Sequence, residues 1–474
     1  MSISENAALA VEIENKLVKA LPIRLGVNKR NELVRLVYEI CLARGLTAAQ
    51  VFEKIKTAEL VEEGKNGLFH RVKGALVEER YPSFLRGGDT RIMPLKIGAG
   101  REECRDWQRE LSPKAIFVEK EVEGYEWTEK FLGNFPEADV IKVKKLTEAL
   151  AFFRERDPVA RYNGRRDNVF LVRNRAAFIK ICPCSNNCKR CGYWILNIGF
   201  GCPMDCSYCY LQLYNRVPGM VLPANVEEYY PHIERFNNKV SGLTRIGTGE
   251  FTDSLAFDRY TGYSGLLAPF FRKTNKLVLE LKTKTTEIDS LLRREAHDHV
   301  VVSWSMNTRR IAAGHEKGGA GISERLEAAS RAAAGGYRIG FHFDPIVFYE
   351  GWEDEYSKIV EEIFSRGEIN EKTAWISLGT LRYTPGLKQL AENRFSDNGI
   401  FYQGDFLEDV DGKLRYPRRL RIEMYNKMIK WIRRLNERPW IYLCMEPESV
   451  WKKTELGKED YEFGRRAWLC RVFF

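Results

Sequence analysis

The sequence predicts an α/β fold, a full or partial (β/α) barrel that follows a small N-terminal α/β domain and a helical N-terminal extension. Three observations predict it. Apolar strand-like runs alternate regularly with helical stretches after residue 209, a shorter alternation occupies residues 113–181, and the first 80 residues show helical spacing of apolar positions. Parallel strands that alternate with covering helices are typical of a barrel, whose active site lies at the carboxyl ends of the strands.

Residues 1–112 are predicted to form the helical extension and a linker. The run NKRNELVRLVYEICLARG has helical spacing and ends at Gly45, and Thr47 with Gln50 predicts a capping box for the next helix. Turn residues dominate 81–112, which favours a linker there. The acidic N-terminus lacks a secretory pattern and no apolar run is long enough to span a membrane, so we expect a cytoplasmic protein.

Residues 113–181 are predicted to form the small α/β domain, in which KAIFVEK, WTEKFLGNF, ADVIKVKK and LTEALAFFRER alternate as strand and helix. The barrel is expected over 194–450, followed by a tail at 451–474. Its strand candidates are 194–201, 242–251, 276–284, 299–307, 337–345, 373–380 and 440–446. Between them TEIDSLLRREAHD and ISERLEAASRAAAGG read as helices, the second with Ile322, Leu326, Ala329 and Ala333 on one face.

The chain carries 75 Lys and Arg against 65 Asp and Glu, a formal net charge of +10. This excess permits a nucleic-acid partner but does not require one. Basic residues cluster at 161–175 and 415–427. Solvated surfaces of an arginine-rich protein are an equally good interpretation of both clusters.

Seven of the eleven cysteines fall within residues 182–212. In a cytoplasmic protein, clustered cysteines are more typical of metal sites than of disulfides. Cys182, Cys184, Cys188 and Cys191 supply four thiolates, enough to close a tetrahedral zinc site or to ligate all four irons of a 4Fe–4S cluster. We expect residues 182–193 to form an exposed, structural metal knuckle that tethers the small domain to the barrel.

The spacing recurs in Cys202, Cys206 and Cys209, without a fourth cysteine nearby. Three thiolates can hold three irons of a cubane and leave the fourth iron open to an exogenous ligand. Cys202 is predicted to follow an apolar strand directly, where a barrel has its first active-site loop. Tyr208 stands immediately before the last cysteine of this set. Of the two cysteine sets, we expect this one to hold the reactive cluster.

Cys-x3-Cys-x-aromatic-Cys after the first barrel strand resembles the signature of radical S-adenosylmethionine enzymes. CSYCYLQ, GTGEFTDSLAFD, SMNTRRIAAGHEKG, ERLEAASRAAAGGYRIGFHFDPIVFYEGWEDEY and LRYTPGLKQLAENRF together resemble the spore photoproduct lyase-like family. The similarity runs in order over residues 113–450. It implies a radical-type barrel, a 4Fe–4S cluster that binds S-adenosylmethionine, and a 5′-deoxyadenosyl radical that abstracts a hydrogen atom.

The resemblance also implies roles for single residues. Lys284 matches a lysine that contacts the methionine carboxylate, and Ser305 with Asn307 matches contacts to the adenosyl end. Gly249 and Glu250 resemble a Gly-Glu pair that holds the methionine amino group. A cation opposite a carboxylate and a carboxylate opposite an ammonium group are physically reasonable pairings.

Hydrogen return is where the chain departs from the family. Tyr208 and Tyr210 match tyrosines of the lyase relay, but GTGEFTDS lacks the cysteine that returns a hydrogen atom to the repaired thymine. Cys444 is the remaining thiol expected near a strand end, although a buried strand cysteine is an alternative interpretation. We therefore expect little repair of the spore thymine adduct, and consumption of S-adenosylmethionine unless Cys444 lies at the barrel mouth.

The leading hypothesis is a radical enzyme that acts on a nucleobase in DNA or RNA. It would have Arg418 and Arg419 as phosphate contacts and an electron donor such as flavodoxin or ferredoxin. One alternative keeps the radical chemistry with a peptide or small metabolite as substrate. Another is a non-catalytic, metal-stabilised nucleic-acid-binding protein, which the intact open triplet and Lys284 argue against. Nothing in the sequence predicts the oligomeric state.

Overall fold

A computed structural model describes residues 3–80, 110–150, 153, 158–185, 187–214, 217–395, 399–401, 406–409, 411–457 and 460. Most of the predicted linker at 81–112 and of the predicted tail at 451–474 lies outside these residues. The described residues form two compact units, one from residues up to 80 together with 406–421 and the other from the rest. No helix in the described part of the chain is long and apolar enough to cross a membrane.

The first unit is mainly helical. Its helices are α1 (Ile3–Ala20), α2 (Val27–Arg44), α3 (Ala48–Lys54), α4 (Thr57–Glu62) and α5 (Leu68–Arg80). Their apolar positions share one core, in which Ile13, Leu36 and Leu76 are fully buried. The end of α2 at Gly45 is confirmed, with φ at 64°, and so is the capping box, in which the Gln50 N–H donates to Thr47 Oγ1 at 3.3 Å.

The second unit begins with a small parallel sheet. The elements in chain order are β1 (Ala115–Glu119), α6 (Glu126–Leu132), β2 (Asp139–Val143), α7 (Leu146–Leu150), α8 (Pro158–Asn163), β3 (Asn168–Val172), β4 (Ile179–Ile181), β5 (Trp194–Leu196), β6 (Asp205–Cys206), α9 (Leu211–Tyr214) and β7 (Met220–Pro223). The strand order is β2-β1-β3-β7. Its last strand comes from beyond both cysteine sets, so the sheet spans the boundary predicted at residue 181.

Strands and helices make up the remaining elements, most of them in alternation. They are α10 (Tyr230–Lys239), β8 (Thr244–Gly247), α11 (Asp258–Thr261), α12 (Tyr263–Phe271), β9 (Leu277–Thr283), α13 (Asp289–Leu292), β10 (Val300–Ser305), α14 (Arg309–His315), β11 (Glu316–Lys317), α15 (Ile322–Ala334), β12 (Arg338–Ile346), α16 (Trp352–Phe364), α17 (Gly367–Lys372), β13 (Thr373–Thr380), β14 (Arg382–Tyr383), α18 (Pro385–Arg394), β15 (Leu407–Glu408), β16 (Leu414–Arg415), α19 (Arg418–Leu435), β17 (Trp440–Leu443) and α20 (Glu448–Trp451). The predicted core face of α15 is confirmed, because Ile322, Leu326, Ala329 and Ala333 are all buried.

The main sheet has the order β17-β13-β12-β10-β9-β8-β5-β4. Its neighbours are parallel except for β4, which pairs antiparallel with β5. The sheet is curled and open, so the predicted partial barrel is confirmed. Several strands end earlier than predicted, β5 at Leu196, β8 at Gly247 and β17 at Leu443, because the apolar pattern continues beyond the hydrogen-bonded ladder. TEIDSLLRREAHD likewise yields only the short helix α13.

Candidate functional site

The sequence predicts that the loop of Cys202, Cys206 and Cys209 follows β5 directly. In the structure, five residues outside the strand lie between the end of β5 and Cys202. Gly199 lies among them with φ at 154°, and a Cβ there would approach the carbonyl oxygen of Val221 to 2.9 Å. The chain therefore passes close against β7 before it reaches the first cysteine.

Arg165 fixes the start of the cysteine loop. Its side chain is 2% exposed, and its guanidinium donates from Nε to the carbonyl oxygen of Cys202 at 3.0 Å and from Nη2 to that of Met204 at 2.6 Å. The guanidinium also lies 3.9 Å from the ring centroid of Tyr162. A buried cation thus satisfies two main-chain acceptors that would otherwise lose their hydrogen bonds to water.

Several arginines of the basic cluster at 161–175 are therefore bound to acceptors within the protein. Beyond Arg165, Arg173 donates to both carboxylate oxygens of Glu228 at 3.1 and 3.2 Å, and Arg175 donates to Glu119 at 3.1 Å. These pairings favour the interpretation of the cluster as a surface of the folded protein over its interpretation as a nucleic-acid contact.

The middle of the loop is held by strand pairing. In β6, Cys206 pairs with Glu316 of the antiparallel strand β11. Gln212 Nε2 donates to the carbonyl oxygens of Cys206 at 3.1 Å and Ser207 at 2.9 Å, and Arg394 in turn donates to Gln212 Oε1. The backbone around the second cysteine is consequently fixed from two sides.

Burial and main-chain hydrogen bonds act in opposite directions on the thiols of the cysteine loop. Burial raises the pKa of Cys202 to about 12 and also raises the pKa values of Cys206 and Cys209. Main-chain N–H groups of Met204 and Leu211 donate to the sulfur atoms of Cys202 and Cys209, which favours the thiolate form. Metal binding replaces the thiol proton, and hydrogen bonds to sulfur tune an iron–sulfur cluster.

Two further observations bear on the fit to a cluster. Across the described residues, no three Cys, His, Asp or Glu side chains are grouped as they would be around one metal ion. A cubane does not require that grouping, because each thiolate ligates a different iron. The buried hydroxyl of Tyr162 has no hydrogen-bond partner within the described part of the chain. Burial raises the pKa of Tyr162, and the charges of Cys209 and Cys202 raise it further. The residues therefore fit a 4Fe–4S cluster.

Lys284 belongs to a buried charge network beside the cysteine loop. Its Nζ lies 3.3 Å from Tyr208 Oη and 3.2 Å from Glu316 Oε1, and the Tyr208 hydroxyl donates to Glu316. Arg325 Nη2 lies 2.7 Å from Glu316 Oε2. Burial alone would raise the pKa of Glu316, but the charges of Lys284 and Arg325 hold it well below its usual range. With its side chain 13% exposed, Lys284 is not a solvated strand-end lysine.

Sequence reasoning assigns no role to Glu316 and Arg325. Both stand in segments that resemble the family, but nothing local distinguishes them from surface charges. Asp253, also without a predicted role, positions Lys284. Its Oδ2 accepts from the Lys284 N–H at 2.8 Å, and its Oδ1 accepts from Thr283 Oγ1 at 2.7 Å. The loop after β8 is thereby joined to the end of β9.

Gly249 and Glu250 lie in that same loop. A Cβ on Gly249 would come within 3.1 Å of Ser254 Oγ and 3.2 Å of Lys282, so a larger residue would require a small shift of these neighbours. Burial alone would lower the pKa of Lys282, but nearby carboxylates, Glu250 first among them, raise it. The Lys282 ammonium group forms no hydrogen bond or ion pair with any described residue, and sequence reasoning missed it. The charge of Glu250 thus acts on Lys282 at the end of β9.

Ser305 and Asn307 lie at the carboxyl end of β10, as expected. The Ser305 carbonyl oxygen accepts from Arg325 Nη1 at 2.8 Å. Asn307 Nδ2 donates to the Pro345 carbonyl oxygen at 3.1 Å, and Asn307 Oδ1 accepts from Tyr356 Oη at 2.5 Å. Both ends of the Asn307 amide are thus occupied within the protein.

The upstream cysteines do not form the exposed knuckle that the sequence predicts, because all four are partly buried. The sulfur atoms of Cys182 and Cys184 are 3.6 Å apart, and Arg245 Nη2 donates to the sulfur of Cys191 at 3.5 Å. The N–H of Cys188 donates to the Ser185 carbonyl oxygen. These four cysteines are not gathered around a single point.

Cys444 follows β17 directly and is partly buried. Its N–H donates to the Leu378 carbonyl oxygen at 2.7 Å, which extends the pairing with β13. Arg382 Nη2 lies 3.6 Å from the sulfur, while Arg382 holds Asp344 with two hydrogen bonds of 2.9 and 3.0 Å. Burial raises the pKa of the Cys444 thiol, and Asp344 acts in the same direction. The residue is thus at a strand end, in charged surroundings.

Tyr210, Arg418 and Arg419 are the other predicted residues, and Tyr210 is partly buried. The Tyr210 ring stacks on that of Tyr214 with centroids 6.3 Å apart. Arg418 and Arg419 are exposed in the first turn of α19. Two further arginines of that basic segment, Arg415 and Arg421, are buried and lie 3.2 and 3.6 Å from Asp409, so they serve the first unit.

Comparison with known families now adds to this geometry. The family model described as spore photoproduct lyase matches residues 111–403, which is more than half of the chain. This chain belongs to the spore photoproduct lyase family. It is therefore an enzyme of the radical S-adenosylmethionine type, as the sequence predicts, and the interpretation as a non-catalytic binding protein is wrong.

Individual relatives agree. The chain is 22% identical over 278 residues to a spore photoproduct lyase of Clostridium acetobutylicum, a match that covers 58% of this chain and 80% of the relative. It is 23% identical over 289 residues to one from a Geobacillus species, covering 60% and 82%. Spore photoproduct lyase complexed with dinucleoside spore photoproduct superposes with a TM-score of 0.61 at 20% identity, over 70% of this chain and 99% of the other. A mutant with bound AdoMet and the same ligand gives the same TM-score. The structural likeness establishes a shared fold.

Proposed function

We propose that Cys202, Cys206 and Cys209 hold a 4Fe–4S cluster that binds S-adenosylmethionine, and that the enzyme abstracts a hydrogen atom from a nucleobase in DNA or RNA. When bound, the reduced cluster and S-adenosylmethionine supply a 5′-deoxyadenosyl radical. The observation that carries the proposal is the cysteine loop. Cys206 is buried, Cys202 and Cys209 are partly buried and receive main-chain N–H donors, and the backbone of the loop is fixed by Arg165 and by β11.

Lys284 is proposed to bind the methionine carboxylate. An ammonium group has three N–H donors, and within the described part of the chain those of Lys284 are directed at two acceptors, Tyr208 and Glu316. One donor is left for a ligand oxygen. Glu250, together with the close backbone approach that Gly249 permits, is proposed to receive the methionine ammonium group. Ser305 and Asn307 are proposed to lie beside the adenosyl end of S-adenosylmethionine. Asn307 would act indirectly, because its amide stabilises the end of β10.

Tyr208 and Tyr210 are proposed to take part in hydrogen transfer, as their match to the family relay implies. Tyr208 suits this role because a hydrogen bond to the ionised Glu316 holds its hydroxyl in place beside the cysteine loop. The loop at 247–254 has no cysteine to end the relay. We therefore propose that no hydrogen atom is taken back from 5′-deoxyadenosine, so that S-adenosylmethionine is not regenerated and is consumed.

A nucleic-acid substrate is proposed from two observations. The solved relatives bind a dinucleoside photoproduct, and Arg418 and Arg419 present exposed cations at the start of α19. Guanidinium groups in such a position can bind phosphate oxygens. An electron donor such as flavodoxin or ferredoxin is required to reduce the cluster. We also propose that the upstream cysteines hold a second metal, either zinc or a closed iron–sulfur cluster.

Anaerobic reconstitution with iron and sulfide tests the proposal. We expect 5′-deoxyadenosine from the unmodified chain and none from the triple variant in which Cys202, Cys206 and Cys209 are Ala. Cys41→Ala is the matched control, because Cys41 is a buried cysteine in the helical unit. Undiminished formation in the triple variant would overturn the cluster assignment. Formation that responds to peptides or metabolites but not to DNA or RNA would overturn the nucleic-acid substrate alone.

A further inference from the structure

Four neighbouring strands of the main sheet meet at one buried carboxylate. Glu280 of β9 is fully buried. Its Oε1 accepts hydrogen bonds from side chains of the next three strands, namely Ser303 of β10 at 2.6 Å, His342 of β12 at 2.7 Å and Trp375 of β13 at 2.7 Å. Gly340 leaves room for this arrangement, because a Cβ there would come within 2.4 Å of Ser303 Oγ and 2.6 Å of Trp375 Nε1. The strands are thus fixed to one another through Glu280.

His342 lies at the level of the proposed cofactor contacts. In the parallel pairing of β10 with β12, Ser305 stands opposite His342. Side chains that stand opposite each other share a face of the sheet, as do residues two apart on one strand. Ser303 and Ser305 therefore lie on the face that carries Glu280, and so does His342. This level is the carboxyl end of the strands, where a barrel has its active site.

The carboxylate determines which ring nitrogen of His342 carries the hydrogen. Three donors on Oε1, and the guanidinium of Arg245 with its Nε 3.8 Å from Oε2, favour the ionised form of Glu280. An ionised carboxylate is an acceptor only, so Nε2 of His342 is the donor. Burial lowers the pKa of His342 more than Glu280 raises it, which keeps the imidazole neutral at pH 7. Its Nδ1 is therefore an acceptor.

This acceptor is available to a bound molecule. Nδ1 of His342 forms no hydrogen bond with any residue in the described part of the chain. The side chain is 10% exposed, whereas Glu280 beside it is fully shielded. A carboxylate that fixes one nitrogen of an imidazole, so that the other can act on a substrate, is a recurrent arrangement in enzymes.

We propose that His342 is a substrate-binding residue whose Nδ1 accepts a hydrogen bond from an N–H group of the nucleobase. Glu280 is then a positioning residue, which holds the imidazole in the required tautomer and orientation. The inference rests on the proposed nucleobase substrate and deepens it, because it names the group of the base that the enzyme recognises. A site that pairs with a substrate N–H discriminates strongly against a molecule that lacks it.

A simpler role for His342 is to donate to Glu280 and nothing more. Two substitutions separate the roles. His342→Gln can place an amide N–H where Nε2 donates, but it has no acceptor at the position of Nδ1. His342→Asn has its amide oxygen near the position of Nδ1, but it is too short to reach Glu280. The simpler role therefore predicts that His342→Asn is the more damaging change, and the proposal predicts that His342→Gln is.

Each reconstituted variant is assayed anaerobically for 5′-deoxyadenosine without nucleic acid and with random-sequence DNA, ultraviolet-irradiated DNA or RNA. The rate without nucleic acid reports on the cofactor site, and the increase that nucleic acid causes reports on substrate use. In His342→Gln we expect an unchanged rate without nucleic acid and an increase that is roughly tenfold smaller, because one hydrogen-bonding group of the substrate is left unpaired. His342→Asn should lose less. His297→Gln, which lies before the start of β10, is the matched control.

A second measurement needs no variant to fold. Nitrogen NMR of histidine-labelled holoenzyme with the oxidised, diamagnetic cluster gives the tautomer of His342. We expect hydrogen on Nε2, none on Nδ1, and a shift of the Nδ1 signal when the stimulating nucleic acid is added. Hydrogen on Nδ1, or a signal that nucleic acid leaves unmoved, would overturn the proposal.

A full increase in His342→Gln would overturn this inference alone, and so would a loss confined to His342→Asn. Equal losses in both variants would support it if the tautomer is the expected one and overturn it otherwise. A fall in the rate without nucleic acid would place His342 in the cofactor site and overturn its role in substrate binding. An unmodified chain that forms 5′-deoxyadenosine but responds to none of the nucleic acids would overturn the proposed nucleobase substrate together with this inference.

Discussion

Glu316 and Arg325 form an ion pair of 2.7 Å between Oε2 and Nη2 in which both side chains are shielded from solvent. Lys284 Nζ approaches the other carboxylate oxygen at 3.2 Å, so one carboxylate serves two cations. Glu316 also stands opposite Cys206 in the pairing of β11 with β6. The ionised carboxylate thus links the proposed ligand-binding lysine to the cysteine loop.

Replacing Glu316 by Gln leaves the buried Arg325 without its charged partner. Breaking a buried ion pair in this way typically costs about 3–5 kcal/mol, and we expect a loss of that order in the free energy of unfolding at pH 7, measured by urea denaturation. Glu126→Gln is the control, since that carboxylate is exposed and its ion pair with Lys130 lies within one helix. Equal stability of the two variants would show that the network contributes nothing.

The same pair predicts a pH dependence. The pKa of Glu316 is lowered in the folded protein, so its contribution to stability is fully present above the unfolded value, about 4.3. It is lost as the pH falls from there towards the depressed folded value. The stability difference between the unmodified chain and Glu316→Gln should therefore shrink below about pH 4. A difference that stays constant from pH 7 to pH 3 would contradict the ionised state assigned to this group.

Arg165→Met removes the guanidinium that binds the carbonyl oxygens of Cys202 and Met204. Each buried acceptor left unsatisfied costs about 1–3 kcal/mol, so we expect the cysteine loop to loosen. The measurement is iron per chain after reconstitution and its loss rate to a chelator. Arg235→Met on the exposed face of α10 is the control. The same iron content and loss rate in both variants would exclude this role for Arg165.

Tyr162→Phe deletes a buried hydroxyl that has no partner in the described part of the chain. We expect the metal-free protein to keep its stability, because no hydrogen bond is lost. If the hydroxyl donates to the cluster or its cysteine sulfurs, its removal should make the reduction potential more negative, since hydrogen bonds to sulfur favour the reduced state. Redox titration followed by electron paramagnetic resonance measures this, and an unshifted midpoint would rule the contact out.

Changing Arg418 and Arg419 to Gln should reduce the salt dependence of nucleic-acid binding. Each duplex phosphate contact contributes roughly 0.9 to the slope of log affinity against log salt, so two lost contacts should lower the slope by about 1.8. Arg434→Gln, exposed near the other end of α19, is the control. Binding that is undetectable, or independent of salt, in the unmodified chain would favour a small substrate.

The spore thymine adduct should be repaired poorly or not at all, because the loop at 247–254 lacks the hydrogen-donating cysteine. Where turnover occurs, we expect one S-adenosylmethionine consumed per event, with 5′-deoxyadenosine counted against substrate converted. Efficient repair by the Cys444→Ala variant would contradict the need for a cysteine donor.

Local spacing was sufficient for part of this structure. The helix cap at Thr47 and the buried face of α15 follow from patterns within a few residues, and such patterns are fixed by backbone geometry alone. Strand ends were predicted less well, because an apolar run continues where the ladder stops. This is why Cys202 lies farther from β5 than expected.

Long-range charges were beyond the sequence. Arg165 reads as one member of a basic cluster, and only the fold shows that it is buried against the cysteine loop. Glu316 and Lys282 have no local pattern that separates them from surface charges.

The hydrogen bond from Lys189 to Glu446 joins segments that lie more than half of the chain apart. Chains emerge from the ribosome with the N-terminal part first, so residues 182–193 must wait for β17 to be synthesised before this junction can close. A nascent or truncated chain that ends before β17 therefore has these cysteines without their docking surface. Metal loading of the upstream cysteines is thus expected to follow the synthesis of β17. The open triplet does not depend on that strand, because its partner strand β11 is made earlier.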